Sequence, residues 1–321
     1  MANSKITVVI PCYNAENYIV KCFDKLNEQT YRDFDVVIVD DCSTDKSYEK
    51  ILSVKDNYDF NVSVVKNEKN SGPAISRNVG VKIADGEYIA FCDSDDYYEP
   101  NFLEIMLSEL IDNDAELAFC GYSVVNEKGE KENRPLIFGK QPENIKESLK
   151  VNCDSLCMML VKADIIKKTP LPDLRNGEDM AVVPLLVQKA NKVRLISDCL
   201  YNYYRRSGSA SQKPGMTVVE SLIKSFNYLK DNFDKKYYSE LEFIGIKNLL
   251  YSAEITLFSV GYKRKTGKKI LTDFEKDFPN WYKNDGIKAL PSYKKMVLKL
   301  LKMRFFFTIR IVALIRSAKI K

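Results

Sequence analysis

Hydrophobic and polar positions alternate along the first 115 residues in two distinct periods. Ile6–Ile10, Val36–Val39, Val62–Val65 and Tyr88–Phe91 are short apolar runs of strand length, rich in β-branched residues. Between them apolar residues recur at helical spacing. Tyr18, Ile19, Cys22, Phe23 and Leu26 form one such set. Tyr48, Ile51 and Leu52, behind Thr44 as a cap, form the next. Ile75, Val79 and Ile83 follow a Gly72-Pro73 turn. Unbroken apolar strands are those buried on both faces, so this alternation predicts a mostly parallel sheet flanked by helices, an α/β fold. From about 116 to 215 the pattern is mixed, with short runs at Leu117–Phe119, Met158–Val161 and Val193–Ile196 between long polar stretches. From 216 onward helical periodicity dominates, as in Leu222, Phe226 and Leu229 and then Phe243, Ile244, Leu249 and Leu250. The expected organisation is one domain over 1–215, with halves of about 1–115 and 116–215, followed by a helical region over 216–321.

In open sheets of this kind ligands bind beyond the carboxyl ends of the strands. Three polar clusters fall there: Pro11–Asn14, Asp40–Asp41 and Asp93–Asp96. The last is the densest, with Asp93, Asp95 and Asp96 in four residues. Asp and Ser also build turns and caps, and a turn ahead of the helix near Pro100 is the plain alternative. Crowded carboxylates repel unless a cation neutralises them, and the Asp-x-Asp spacing suits a hard divalent ion, magnesium or manganese. A calcium EF-hand loop does not fit, because the position that must be glycine is Tyr98. An ion held by few carboxylates usually shares substrate phosphates, and Arg77, on the helix opened by Gly72-Pro73, is placed to meet an anion. The loop after the first strand, Pro11-Cys12-Tyr13-Asn14, has no glycine, so it is neither a P-loop nor a dinucleotide fingerprint.

Composition narrows the chemistry. The 321 residues include no histidine, which removes Ser-His-Asp and Cys-His catalysis and argues against zinc. Acid–base work falls to carboxylates, Lys, Tyr or Cys. The eight cysteines are irregularly spaced and read as free thiols in a reducing compartment. The opening MANSKITVVIPCYN lacks the pattern of a signal peptide, so a cytoplasmic location is expected. The net charge of +5 is unevenly placed: after Asp285 come ten Lys and Arg residues and no acid. Residues 293–316 mix this charge with apolar bulk, including Phe305, Phe306 and Phe307, but no apolar run reaches the roughly 20 residues a bilayer span needs. Two readings stand: an interfacial helix against anionic lipid on the inner face of the cell membrane, or a helix packed on the core or in an oligomer. No nucleic-acid-binding module is visible.

Five ordered stretches resemble glycosyltransferase family 2, the inverting transferases of GT-A (Rossmann-like) fold: VVIPCYNAENYI (8–19), VIVDDCSTDKS (37–47), NSGPAISRNVG (70–80), GEYIAFCDSDDYYEP (86–100) and NGEDM (176–180). The resemblance covers about two-thirds of the chain and is closest to bacterial capsule, exopolysaccharide and cell-wall members. It implies that Pro11 and Tyr13 line the nucleotide-base pocket, that Asp41 accepts a hydrogen bond from the base, and that Arg77 assists the nucleotide part of the donor. It implies a metal motif of Asp93 and Asp95, with Asp95 the direct ligand, and a general base at Asp179 beside the substrate-facing Glu178. Arg205, Arg206 or Ser209, in YYRRSGSAS, would close over the diphosphate. No QxxRW motif is present, which departs from processive members and favours transfer of one sugar. The implied donor is a nucleotide-sugar, with a UDP-sugar favoured, and the acceptor a glycan or lipid-linked sugar. The competing readings are a non-catalytic nucleotide- or glycan-binding member anchoring a membrane assembly, and a nucleotidyltransferase.

Overall fold

The computed structural model describes residues 6–151, 153, 155–205, 215–261 and 263–320. Among the described residues nine strands form one sheet: β1 (Ile6–Cys12), β2 (Phe34–Asp40), β3 (Val62–Lys66), β4 (Tyr88–Phe91), β5 (Tyr97–Tyr98), β6 (Leu117–Val125), β7 (Lys131–Arg134), β8 (Met159–Lys162) and β9 (Val193–Tyr204). Their order is β3-β2-β1-β4-β8-β6-β9-β5, with β7 paired to β6. The helices of this part are α1 (Ile19–Asn27), α2 (Ser47–Val54), α3 (Pro73–Ile83), α4 (Phe102–Asp112), the short α5 (Ile145–Ser148) and α6 (Ala163–Lys167), and α7 (Glu178–Lys189). β1, β2 and β4 are buried along nearly their whole length, as strands covered on both faces must be, while the edge strand β3 is half-exposed.

The fold class expected from the sequence is the one observed. β3, β2, β1 and β4 are parallel, with Cys12 opposite Asp40 and Val9 opposite Phe91. The sheet turns mixed beyond β4, because β8 runs antiparallel to both β4 and β6 while β9 is parallel to β6. α3 can lie close on β1 because residue 80 is glycine: a Cβ there would meet Val9 Cγ1 at 2.4 Å. One local expectation fails. Thr44 caps nothing; α2 begins three residues later, where the Asp45 carboxylate accepts from both the backbone N–H and the hydroxyl of Ser47.

The chain divides into two compact units, Met1–Ser207 and Gly208–Lys321. The second is helical: α8 (Met216–Asn232), α9 (Tyr238–Gly245), a π-helical stretch (Ile246–Ala253), α10 (Glu254–Val260), α11 (Arg264–Asp277), α12 (Ser292–Lys302) and α13 (Phe306–Ile320). Lys235–Val260 is long and apolar enough to cross a membrane, but its most apolar window is 72% buried, and it forms the core of this unit. Gly267 lets α11 approach α10, since a Cβ there would stand 2.5 Å from Glu254 Oε2.

Candidate active site

The parallel strands bring their carboxyl ends to one edge. Asp41 N–H donates to Cys12 O (2.7 Å) and Cys92 N–H to Val9 O (3.2 Å), which carries β2 and β4 onward as a continuous lip of the sheet. The loops after β1 and β2 interlock. Asn14 (φ 50°) accepts from Thr44 N–H through its side chain and donates its own N–H to Ser43 Oγ. Pro11 is buried in β1, and Tyr13 stands out from the lip, 45% exposed.

Asp41 is buried, and its oxygens accept from Asn67 Nδ2 (2.7 Å), Ser71 N–H (2.9 Å) and Gly72 N–H (2.7 Å). In this structure it holds the loop that launches α3. Gly72 takes φ 90°, which favours glycine, and Pro73 opens the helix. Three bonds fill most of a carboxylate's roughly four acceptor sites, so a hydrogen bond from a base would take the last one.

α3 carries Arg77 inward. Its guanidinium is 4% exposed, and Nη2 donates to Asp93 Oδ1 (2.7 Å) while Nη1 donates to Glu178 Oε1 (2.7 Å) and lies 3.9 Å from Asp179 Oδ1. Burial disfavours its charge, but Asp93 and Asp179 more than offset this and keep it protonated. One buried cation thus gathers carboxylates from β4's end, 16 residues beyond it, and from the start of α7, 101 residues beyond it. Glu178 and Asp179 stand in the first turn of α7, behind Gly177 at φ 84°, where the helix dipole favours negative charge.

Asp179 is poised rather than neutralised. Its Oδ2 accepts only a long bond from Leu156 N–H (3.4 Å), and its buried Oδ1 has no hydrogen-bond partner among the described residues. Burial pushes its carboxyl up to about 7; Arg77 pulls it down, and Glu178 and Asp93 push it up again. The turn Leu156–Met158 that touches it also walls a cavity of about 250 Å3, lined by Phe119, Tyr122, Arg134, Leu136, Ser155 and Met158 among others.

The carboxylates after β4 divide. Asp93 and Asp95 are half-buried at the lip. Asp96 turns inward: it is 2% exposed and accepts from Tyr201 Oη (2.5 Å) and Tyr204 N–H (2.7 Å). By sequence Asp96 belongs with the converging carboxylates; in the structure it ties the turn to β9, and the Tyr97-Tyr98 pair that follows is the one local signal of that. The contact of Leu156 N–H with Asp179 had no signal, because any residue supplies a backbone donor. Arg205 is exposed at the end of β9, its N–H donating to Val125 O; Arg206 and Ser209 lie outside the described residues. No group of three or more Cys, Asp or Glu side chains able to cage a metal occurs among the described residues. Two half-buried carboxylates on one turn, one of them already bonded to arginine, fit an ion that takes its other ligands from phosphate and water.

A family model described as glycosyl transferase family 2 matches residues 7–169. The chain is 29% identical over 208 residues to the putative teichuronic acid biosynthesis glycosyltransferase TuaG of Bacillus subtilis, covering 64% of this chain and 81% of that protein. It is 30% identical over 217 residues to glycosyltransferase GlyG of Streptococcus pneumoniae, covering 64% and 72%. The crystal structure of S. aureus TarS 1-349 superposes with a TM-score of 0.72 at 20% identity, covering 99% of this chain and 92% of that one. The same protein in complex with UDP-GlcNAc superposes at 0.63, with 22% identity over 98% and 92%.

Proposed function

This chain belongs to glycosyl transferase family 2 and is a glycosyltransferase, and from that premise we propose that it moves a single sugar from a UDP-sugar to a glycan or lipid-linked acceptor in the synthesis of a bacterial surface polysaccharide, with inversion at the anomeric carbon. The observation that carries the reading is the buried Arg77 joining Asp93 to Glu178 and Asp179. It sets an anion-facing turn and a carboxylate of raised pKa side by side, which is what a displacement with a diphosphate leaving group needs. The naming of TuaG for teichuronic acid and the UDP-GlcNAc complex of TarS support the substrate class.

The nucleotide lies along the lip of the sheet in this reading, its base against Pro11 and the exposed Tyr13, with Asp41 holding the loop beneath. Asp93 and Asp95 would hold a magnesium or manganese ion, which when bound offsets negative charge on the departing diphosphate. Arg77 fixes Asp93 so that this turn keeps its shape as charge develops. Asp179 takes the proton from the acceptor hydroxyl as the oxygen attacks the anomeric carbon; the bond to the diphosphate breaks on the opposite face and its electrons leave with the nucleotide. The acceptor sits in the cavity behind the Leu156–Met158 turn, with Tyr122 offering a flat ring. Arg205, exposed at the end of β9, would contribute positive charge to the diphosphate. The eight free cysteines, most of them buried, support a reducing compartment.

Calorimetric titration and slow hydrolysis across UDP-, GDP- and dTDP-sugars, with and without manganese, test this. Metal-dependent binding of a UDP-sugar with release of UDP is the expected result. Release of pyrophosphate from a nucleoside triphosphate would point to a nucleotidyltransferase instead, and donor binding with no turnover on any acceptor would favour a non-catalytic role.

A further inference from the structure

The second unit ends in a helix that is apolar on two sides. Phe306, Ile309 and Ala313 of α13 are buried, with the Phe306 ring 6.2 Å from that of Phe258 on α10. Phe307, Ile311, Leu314 and Ile315 follow at i, i+4, i+7 and i+8 on the other side, and all are exposed, Phe307 at 64%. That is the spacing of a buried helix face turned outward. The corner before it is fixed rather than loose. Arg304 takes φ 62°, Phe305 N–H donates to Leu300 O (2.9 Å) and Arg304 N–H to Leu301 O (2.9 Å), the bond pair that closes a helix on a left-handed residue. Arg304 is further held by Glu275 at 2.6 Å. This corner presents Phe305, 53% exposed, beside Phe307. α12 buries Val297, Leu298 and Leu301 and exposes Lys295, Lys299 and Lys302.

We propose that the outer face of α13, with the corner at Phe305 and the exposed lysines of α12, docks this protein on an anionic lipid bilayer. The inference stands on the second unit alone and does not depend on the identity of the donor. Charge selects the occupant. The segment after Asp285 holds ten cations and no acid; Arg304 and Lys288 pair with Glu275 and Asp285, but Lys295, Lys299 and Lys302 stay exposed, so the same face of a second copy would set like charge against like, whereas an anionic headgroup layer complements it. Length selects the mode. The 15 residues of α13 span about 22 Å, short of the roughly 30 Å hydrocarbon core, and one side of the helix is already packed on protein, so it lies in the interface. The two sequence readings of this segment, packed helix and interfacial helix, describe its two sides.

Flotation of the full chain with vesicles tests this. Binding is expected to vesicles containing phosphatidylglycerol, weaker binding to pure phosphatidylcholine, and release as salt is raised. Phe307→Glu with Leu314→Glu should lower the bound fraction roughly tenfold or more while the circular dichroism spectrum keeps its helical content, since both side chains are exposed in large part. Lys295→Glu with Lys299→Glu, which leaves the apolar face intact, should weaken binding to phosphatidylglycerol vesicles alone. Failure to float on phosphatidylglycerol vesicles would overturn the proposal, as would equal flotation of both double variants. So would a dimer in sedimentation velocity that the Phe307/Leu314 variant dissociates.

Discussion

Asp179 is the residue on which the proposed chemistry turns, and its environment makes a signed prediction. A general base must be ionised, and burial has pushed this carboxyl up to about 7. As pH falls below about 7 the protonated fraction grows, so kcat/KM should drop about tenfold per pH unit on the acid side. Asp179→Asn keeps the shape and removes the base; it should bind donor as before and lose about 10²–10⁴-fold in turnover. Unchanged turnover, or an acid limb near pH 4, would take Asp179 out of the role. Asp95→Ala should bind donor without any response to added manganese; an undiminished metal response would move the ion elsewhere. At this scale the sequence was informative about residue types and less so about their partners. Asp93, Asp95 and Asp179 could be named from spacing and resemblance, but not that Arg77 would spend its guanidinium on Asp93 and Glu178. Which of the three carboxylates in DSDD turns inward depends on a tyrosine on β9, which local sequence does not encode.

Among the elements, α10 and α11 carry a carboxylate that is costly to bury. Glu254 is 0% exposed, and neither of its oxygens has a hydrogen-bond partner among the described residues. Burial raises its pKa from the usual 4.5 to about 8. The folded chain therefore keeps a proton that the unfolded chain has released between about pH 4.5 and 8. Stability should fall as pH rises through that window, at up to about 1.4 kcal/mol per unit. Glu254→Met should flatten this slope and raise the melting temperature at pH 8; an unchanged slope would show that the carboxylate finds a partner in solution. On the other unit, Gly80→Ala forces a methyl onto Val9 and should cost about 1–3 kcal/mol in urea unfolding. The four parallel strands were legible because continuous apolar runs alternate with helical spacing. The antiparallel β8 was visible only as a short apolar run, since strand direction is set by which neighbour pairs with it and not by its own residues.

Across the whole molecule, the two compact units part at residues 207 and 208, while helical periodicity takes over from 216. The outward apolar stripe of the second unit was not legible in that periodicity. Periodicity finds apolar positions on α13 but cannot say which of them a neighbouring helix will cover. The buried Arg77 has one more consequence, for the order in which the chain is made. Its partner Glu178 lies 101 residues downstream, so a ribosome that has delivered β4 and the turn after it has given this cation Asp93 but neither Glu178 nor Asp179. Burying that cation with one half-exposed partner in place of its full set is unfavourable, and closing so long a loop is slow. The lip of the sheet should then remain open until α7 has been delivered. A fragment ending at residue 170 is expected to show helical content but none of the cooperative unfolding of residues 1–207. The arginine would act as a checkpoint on synthesis: no half-built chain could offer a finished site to a sugar nucleotide.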